Sequence, residues 1–312
     1  MIQQKLDPLF HCIKMAISVV LVTGSEGQLG CALQATFNAP SLLAPLFCSK
    51  SMLDITDLNQ IESYIQAHRV QYIINCAAYT HVALAEQAAD SCFKVNGMAA
   101  GHLAALAAKY DIVLFHISTD YVFGSVAEGP FKPNDPTHPL NAYGRSKRAG
   151  EQLIAGQATH FYIIRTAWLY GETGHNFFTK MVALAQKGGT IQMVDDQIGS
   201  PTYVYDLAKA IWEMMAKIAK NNRSDYPSGI YHYTNEGVAS WYDFAYAILT
   251  ALPNTCTLMP VSSPLGGLKR PSYSVLSKAS FREVFQIKIP HWKYSLSICL
   301  KNIKPNRLLL KR

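Results

Sequence analysis

The sequence has 312 residues, of which 49% are hydrophobic and 16% are charged. This composition is typical of a globular protein with one large domain or two joined domains, and it excludes a disordered chain. The net charge of +7 is not arranged as a basic patch with interleaved aromatic residues, so nucleic acid is not a predicted partner. No apolar run approaches the roughly 18 to 20 residues that span a bilayer, so no membrane association is predicted.

The two ends of the chain are predicted to lie outside the domains. Residues 1–14 lack the features of a secretory signal and precede a second methionine, Met15. They are interpreted as a short extension or as the result of a mis-assigned start, and residues 305–312 as a basic tail. Seven scattered cysteines without a CxxC pair indicate free thiols in a reducing compartment, so the predicted location is cytoplasmic.

From residue 18 onward, strand-like and helix-like segments alternate. Apolar runs predict strands in SVVLVTG, LLAPLFCS, QYIINCAA, IVLFHIS and FYIIRTAWLYG, and the segments between them predict helices. Continuous apolar strands are typical of a parallel sheet that is covered on both faces. The predicted fold class is therefore α/β, with a doubly wound parallel sheet of the Rossmann type.

After about residue 170 the pattern is less regular. Helices are predicted in NFFTKMVALAQKG, YVYDLAKAIWEMMAKIAK and SWYDFAYAILTAL, with glycine and proline in the segments between them. We therefore predict a dinucleotide-binding domain over residues 15–171, to which residues near 201–234 return. A smaller, mixed α/β substrate domain is predicted over residues 172–200 and 235–304.

The stretch VTGSEGQLG places Gly24, Gly27 and Gly30 three residues apart, where the first strand meets the first helix. In such a turn the first glycine permits the tight bend, the second lets the backbone approach a pyrophosphate, and the third allows the helix to pack closely. The helix N-terminus then offers unpaired N–H groups to the phosphates. The predicted cofactor is NADPH or NADH, and a glycine turn without a ligand is the alternative.

The second strand ends in CSKS, without the carboxylate that binds an adenosine ribose through its 2′-hydroxyl. Lys50 is instead a candidate for contact with a 2′-phosphate, and an exposed loop lysine without a ligand is the alternative. Asp54, in LDITD, is a candidate adenine contact or the N-cap of a turn.

In AYGRSKRAGE, Tyr143 and Lys147 are four residues apart and lie on one face of a predicted helix. Thr119, in STDYVF at the end of a buried strand, precedes Tyr143 by 24 residues. A hydroxyl at a strand end, followed by a tyrosine and a lysine one helical turn apart, resembles the active site of extended short-chain dehydrogenases.

Six blocks in the same order resemble the dTDP-4-dehydrorhamnose reductase family: NCAAYT, STDYVF, NAYGRSKRAGE, IIRTAWLYG, DDQIGSPTYVYDLA and KRPSYSVL. The resemblance runs over about residues 15–300. It implies that the chain reduces a dTDP-linked 4-keto-6-deoxy sugar to dTDP-L-rhamnose, with Tyr143 as the proton donor and Lys147 and Thr119 assisting it.

The glycine turn, the strand ends and the resemblance together define the predicted site. The predicted cofactor-binding residues are Gly24, Gly27, Gln28, Leu29, Gly30, Lys50, Asp54, Ile55, Ala78, Tyr79, Thr80, Ile117, Tyr143 and Lys147. The predicted substrate-binding residues are Thr119, Asp120, Trp168 and Arg270. In this set, the flat ring of Trp168 suits stacking on a sugar or base, with core packing as the alternative, and the planar fork of Arg270 suits a diphosphate.

The chain departs from the family pattern at two positions. Ala83 stands where an aspartate is usual, although Glu86 is retained. Ala32 corresponds to a glutamate that helps to bind an interfacial magnesium ion in some relatives, so no metal is predicted and a homodimer is left open.

Two alternative functions remain, namely a nucleotide-sugar epimerase or dehydratase that retains its cofactor through turnover, and a non-catalytic regulatory subunit resembling that of methionine adenosyltransferase.

Overall fold

The computed structural model describes residues 17–38, 42–124, 128–221, 223–253, 255–264 and 266–303. The predicted extension and the predicted basic tail lie outside these residues. The strands are β1 (Ser18–Thr23), β2 (Leu43–Cys48), β3 (Tyr72–Asn75), β4 (Val113–Thr119), β5 (Phe161–Thr166), β6 (Leu169–Tyr170), β7 (Gly189–Val194), β8 (Ile198–Gly199), β9 (Thr202–Tyr203), β10 (Gly229–His232), β11 (Ala239–Ser240) and β12 (Cys256–Val261). The helices are α1 (Gln28–Thr36), α2 (Leu58–His68), α3 (Val82–Ala85), α4 (Ala89–Phe93), α5 (Ala99–Lys109), α6 (Ala142–Gln157), α7 (Phe177–Lys187), α8 (Val204–Lys220), α9 (Trp241–Thr250), α10 (Ala279–Phe285) and α11 (Trp292–Lys301).

Six of the strands form one parallel sheet in the spatial order β2-β1-β3-β4-β5-β10. The apolar runs that predict the first five strands are buried in this sheet, as in β1, where Val20, Leu21 and Val22 are 0% exposed. The strand order reverses between β1 and β3, so a crevice opens at the carboxyl ends of these strands. The predicted doubly wound parallel sheet is confirmed.

Helices cover both faces of the sheet. On one face, α1, α8 and α10 bury Leu33, Ile211 and Phe281. On the other face, α2 and α5 bury Ile61 and Leu103, and α6 packs beside them. Each large apolar side chain that is fully buried in this way contributes about 1.5–3 kcal/mol, so the two layers fix the helices that carry the site.

The prediction that FYIIRTAWLYG is one continuous strand is wrong. β5 ends at Thr166, and Trp168 has a φ of 49°, in the left-handed region that a strand does not contain. β6 then pairs with β9 in a separate two-stranded sheet. The bend at Trp168 therefore ends the pairing with β4 and leads the chain away from the central sheet.

The residues after β6 form a second region. Here α7, α9 and α11 share an apolar core that includes Phe178, Phe244 and Trp292, and β7 pairs with β12 in parallel. Within the same stretch of chain, α8 packs against the central sheet and β10 extends its edge beside β5. The division into a dinucleotide-binding domain and a substrate domain stays a prediction.

A buried ion pair ties α6 to the sheet. Glu151 accepts hydrogen bonds from Arg165 Nε and Nη2, both at 2.8 Å, and from Ser118 Oγ at 2.6 Å. Glu151 is 0% exposed and Arg165 is 1% exposed. Since these three residues lie on α6, β5 and β4, the pair holds the helix against the two strands.

Two further observations concern the environment of the protein. Within the described ranges, no helix combines the length and the hydrophobicity that crossing a bilayer requires. Cys48, Cys92 and Cys299 are buried free thiols. A cytoplasmic location stays a prediction.

Candidate active site

A large cavity lies at the carboxyl ends of the parallel strands. Its volume is about 1770 Å³, and its walls come from the segments that follow β1, β2 and β3, from the ends of β4 and β5, and from α6. Residues of the second region close the other side. Every residue in the two predicted sets, cofactor-binding and substrate-binding, lines this cavity. The fold therefore brings all of these positions together, although their individual roles stay predictions.

The glycine turn has the tight geometry that a phosphate-binding turn requires. Gly24 has a φ of 65°, and a Cβ atom at this position would lie 2.6 Å from the backbone nitrogen of Ala77. A Cβ atom at Gly30 would lie 2.6 Å from the Cα of Ser25. Gly27 is the N-cap of α1. The first turn of this helix, which lines the cavity, has backbone N–H groups without partners inside the helix. These features fit a dinucleotide pyrophosphate.

We expect Gly30→Ala to lower the free energy of unfolding by about 1–3 kcal/mol, the usual range for overpacking. The added methyl group would meet backbone atoms of Gly24 and Ser25, which cannot rotate away. The movement of the turn should also weaken NADPH binding. Urea denaturation and NADPH fluorescence titration measure the two effects.

Gly156→Ala is the matched control, because Gly156 lies in α6 and a Cβ atom there has no neighbour within 4 Å. Alanine is better than glycine inside a helix by up to about 1 kcal/mol, so this variant should be slightly more stable than the wild type. Equal stability of Gly30→Ala and the wild type would contradict the account of the turn.

Two charged residues that follow β2 line the cavity. Lys50 is exposed there. Asp54 accepts hydrogen bonds from the backbone nitrogen and the hydroxyl of Thr56, both at 2.9 Å, and these bonds with the charge of Lys50 lower its pKa. Asp54 therefore caps a turn, as one alternative predicted, and it also faces the cavity.

The first turn of α6 is fixed by three capping contacts. Asn141 is the N-cap and accepts from the backbone nitrogen of Gly144 at 2.8 Å. Its amide also donates to the Lys269 carbonyl at 3.0 Å, and Glu86 accepts from the Ala142 backbone nitrogen. Glu86 thus acts as a helix cap, and together these contacts hold the helix start that carries Tyr143.

Tyr143, Lys147 and Thr119 converge on the cavity wall. Burial raises the pKa of Tyr143, and the nearby Thr119 hydroxyl opposes this shift, so the phenol keeps its proton at neutral pH. Burial lowers the pKa of Lys147 to about 8, and Glu151 opposes that shift. Lys147 Nζ donates to the Ile117 carbonyl at 2.6 Å. The arrangement places a protonated phenol and a fixed lysine one helical turn apart on the same cavity wall.

Thr119 forms hydrogen bonds with Asp120 and Tyr121 at the end of β4. Thr119 Oγ1 accepts from the Tyr121 backbone nitrogen at 3.2 Å and donates to Asp120 at 3.1 Å. Burial raises the pKa of Asp120 to about 6, and hydrogen bonds from the side chains of Ser274 and Thr119 oppose this shift. This carboxyl group lines the cavity, and its role in binding a substrate stays a prediction.

An aromatic pair lines the cavity on the side of the second region. The rings of Trp168 and Trp241 stack with centroids 3.6 Å apart and an interplanar angle of 7°. Both residues line the cavity, with Phe177 beside Trp241. Trp241 holds one face of Trp168, which fixes the orientation of the ring that was predicted to contact substrate.

Several residues that line the cavity are missing from the sequence-based prediction. Lys180 on α7, Gln197 before β8 and Trp241 at the start of α9 face the same space. None of them lies in a glycine turn, at the end of a predicted strand or at a fixed spacing from another candidate residue. Lys180 adds a positive charge to the cavity, as Arg270 does.

The parallel sheet carries a glycine turn where its strand order reverses, and a tyrosine and a lysine lie one helical turn apart in the same cavity. These features define a dinucleotide-dependent enzyme of the short-chain dehydrogenase type. The RmlD substrate binding domain model matches residues 18–304. The chain therefore belongs to the dTDP-4-dehydrorhamnose reductase family, as the resemblance predicted.

Named relatives agree with this assignment over nearly the whole chain. The chain is 36% identical to a dTDP-4-dehydrorhamnose reductase of Aggregatibacter actinomycetemcomitans, covering 91% of this chain and 98% of the relative. It is 39% identical to a dTDP-4-keto-6-deoxy-D-glucose reductase of Streptomyces niveus, covering 89% and 94%. The crystal structure of dTDP-4-dehydrorhamnose reductase from Bacillus anthracis in complex with NADP has a TM-score of 0.83 and 34% identity, covering 91% of this chain and 99% of that one.

Proposed function

We propose that the protein reduces dTDP-4-dehydro-L-rhamnose to dTDP-L-rhamnose with NADPH or NADH. The observation that carries the proposal is that Tyr143, Lys147 and Thr119 share one cavity with the glycine turn. The named reductases among its relatives support the same reaction and the same substrate class. The proposal includes a cytoplasmic location, which suits buried free thiols.

The glycine turn fits the dinucleotide on two grounds. First, Cβ atoms at Gly24 and Gly30 would collide with backbone atoms, so the tight turn requires glycine at both positions. Second, the buried side-chain amide nitrogen of Gln28 has no hydrogen-bond partner among the described residues. When bound, NADPH supplies the hydride that reduces the C4 carbonyl. Gly27, Gln28 and Leu29 would hold the pyrophosphate, while Asp54 and Ile55 would lie beside the adenine.

The protein's own part in the reaction is to give a proton to the carbonyl oxygen. Tyr143 is protonated at neutral pH, because burial raises its pKa, and so it can donate to the alkoxide that forms at C4. Thr119 donates a hydrogen bond to the same oxygen and helps to place it. The positive charge of Lys147 stabilises the phenolate that remains on Tyr143 after the proton has left.

The second side of the cavity would hold the nucleotide sugar. The buried carboxyl group of Asp120 can accept from a sugar hydroxyl, and Trp168, held between Trp241 and Gly199, contributes to the apolar wall of the cavity. Arg270 and Lys180 bring positive charge for the diphosphate of the substrate. These contacts would orient C4 toward Tyr143.

The test supplies dTDP-4-dehydro-L-rhamnose and NADPH to the purified protein and follows NADPH absorbance. We expect one NADPH to be consumed for each dTDP-L-rhamnose that NMR identifies. An epimerase or dehydratase would change the sugar without net consumption, and a regulatory subunit would leave both compounds unchanged. Absence of NADPH oxidation with several 4-keto sugars would contradict the proposal.

The choice between the two cofactors is expected to depend on Lys50. Its exposed ammonium lies after β2, where a 2′-phosphate would be placed. An exposed ion pair contributes about 0.2–1 kcal/mol, so Lys50→Ala should lower the NADPH/NADH ratio of kcat/KM by at most about fivefold. The difference should shrink as salt rises.

Lys288→Ala is the control for this measurement, because Lys288 is also exposed but does not line the cavity. It should leave the cofactor ratio unchanged at every salt concentration. If Lys50→Ala and Lys288→Ala give the same ratio as the wild type, Lys50 does not contact the cofactor.

A further inference from the structure

Three polar side chains form a row across the ends of three neighbouring strands. The register pairs Thr23 of β1 with Asn75 of β3, and Asn75 with His116 of β4. The Thr23 hydroxyl lies 2.7 Å from the side-chain amide of Asn75, and this amide lies 3.0 Å from His116 Nδ1. Each of the three residues is 1% exposed. Polar groups in such a core are costly unless they are bonded, and here they bond to one another.

The row ends at Lys147. His116 Nε2 lies 3.3 Å from Lys147 Nζ, and the same Nζ donates to the carbonyl of Ile117, the next residue of β4. Lys147 is 2% exposed, yet it lines the cavity. Two consecutive residues of one strand therefore hold the end of this lysine side chain, one through its ring and one through its backbone.

We propose that His116 is a positioning residue, whose Nε2 holds Lys147 Nζ where it acts on Tyr143. The inference rests on the proposed function, because the role of Lys147 belongs to it. A lysine side chain has many rotamers, and one carbonyl contact fixes its end less well than two contacts do. A displacement of about 1 Å in a catalytic group can lower the rate by about 10².

The chemistry of the ring suits this role. Burial and the charge of Lys147 hold the pKa of His116 well below its usual range, so the ring is neutral at physiological pH. A neutral imidazole has one N–H and one lone pair. With the lone pair on Nε2, the ring accepts from Lys147 without repelling the ammonium group, and its Nδ1–H donates to the Asn75 side chain, whose amide turns its oxygen to the ring. Asn75 and Thr23 in turn fix the orientation of the ring from the opposite side.

Two amide substitutions separate the contact with Lys147 from the contact with Asn75. The longer side chain in His116→Gln can place its amide near the position of Nε2 and keep the bond to Lys147. The shorter side chain in His116→Asn can reach only the position of Nδ1 and keeps the bond to Asn75. Both variants bury an amide in place of an imidazole, so each controls for the structural effect of the other.

The experiment measures kcat and KM for both substrates, together with melting temperature, in the two variants. We expect His116→Asn to lose about tenfold or more in kcat, with KM changed by less than about threefold, and His116→Gln to keep kcat within about threefold of the wild type. Equal activity of both variants and the wild type would overturn the proposal. So would equal losses in both variants, or a loss confined to His116→Gln.

A second measurement does not depend on the reaction. NMR of protein labelled with ¹⁵N at lysine Nζ should show a slowly exchanging Lys147 signal, assigned by its absence in Lys147→Met. The signal should persist in His116→Gln and shift or broaden in His116→Asn. If the wild type fails to reduce the sugar, the proposed function is wrong, while an unchanged signal in His116→Asn would overturn the role of His116 by itself.

Discussion

Replacement of Tyr143 by phenylalanine is expected to lower kcat by about 10²–10⁴, the usual contribution of general acid catalysis. The change removes the phenolic oxygen and its proton but keeps the ring, which packs edge-to-face on Tyr121 with centroids 5.7 Å apart. The fold and the cofactor site should therefore be retained. Steady-state kinetics measures the loss, and NADPH fluorescence titration shows whether the cofactor still binds.

Tyr246→Phe is the matched control for this substitution. Tyr246 lies on α9 with 55% of its surface exposed, so the same chemical change there should leave kcat within about twofold of the wild type. A kcat for Tyr143→Phe within about threefold of the wild type would show that another group supplies the proton.

Replacement of Glu151 by alanine is expected to lower the free energy of unfolding by about 3–5 kcal/mol, because it leaves Arg165 as an uncompensated buried charge. The carboxylate has no exposed surface and accepts from Arg165 and Ser118, so no water can substitute for it without entering the core. Urea denaturation measures the loss. Because α6 also carries Tyr143 and Lys147, kcat should fall as well.

Glu213→Ala gives the corresponding surface control. Glu213 lies 3.5 Å from Lys217 on α8, and both side chains are substantially exposed. Removal of such a pair should change the free energy of unfolding by no more than about 1 kcal/mol. The account of the buried pair would be contradicted if the two variants were equally stable.

The sequence alone predicts the central sheet well, because a strand buried on both faces must be continuously apolar. The segments SVVLVTG and QYIINCAA contain β1 and β3, and the glycine spacing places the turn between β1 and α1. The predicted residues line one cavity because the carboxyl ends of parallel strands meet at one edge of a sheet.

Features that depend on tertiary contacts are absent from the prediction. The break at Trp168 is hidden, because a bulky residue with positive φ has no signature in a run of apolar residues. The helix predicted around residues 90–110 contains a π-helical turn, Lys94–Met98, between α4 and α5. The two-residue strands β8 and β11 exist only because they pair with each other.

His116 is a residue whose position in the sequence indicates a buried polar contact, although the sequence-based prediction did not include it. It is a titratable residue in the middle of IVLFHIS, a strand that is otherwise apolar except at its end. Such a residue must find a buried partner, and the parallel register of β3 and β4 places Asn75 beside it. Its proximity to Lys147 could not be predicted, because that contact depends on how α6 packs on the sheet.

Reduction with NADPH that carries deuterium at C4 of its nicotinamide, in ordinary water, tests the central claim most directly. The account predicts that one of the two C4 stereoisomers of the labelled cofactor transfers its deuterium to C4 of the sugar, so that NMR of the product dTDP-L-rhamnose shows C4 deuterated. Turnover of the sugar with no deuterium at C4 from either labelled stereoisomer, or with NADPH left unconsumed, would contradict the assignment of this protein as a 4-keto sugar reductase.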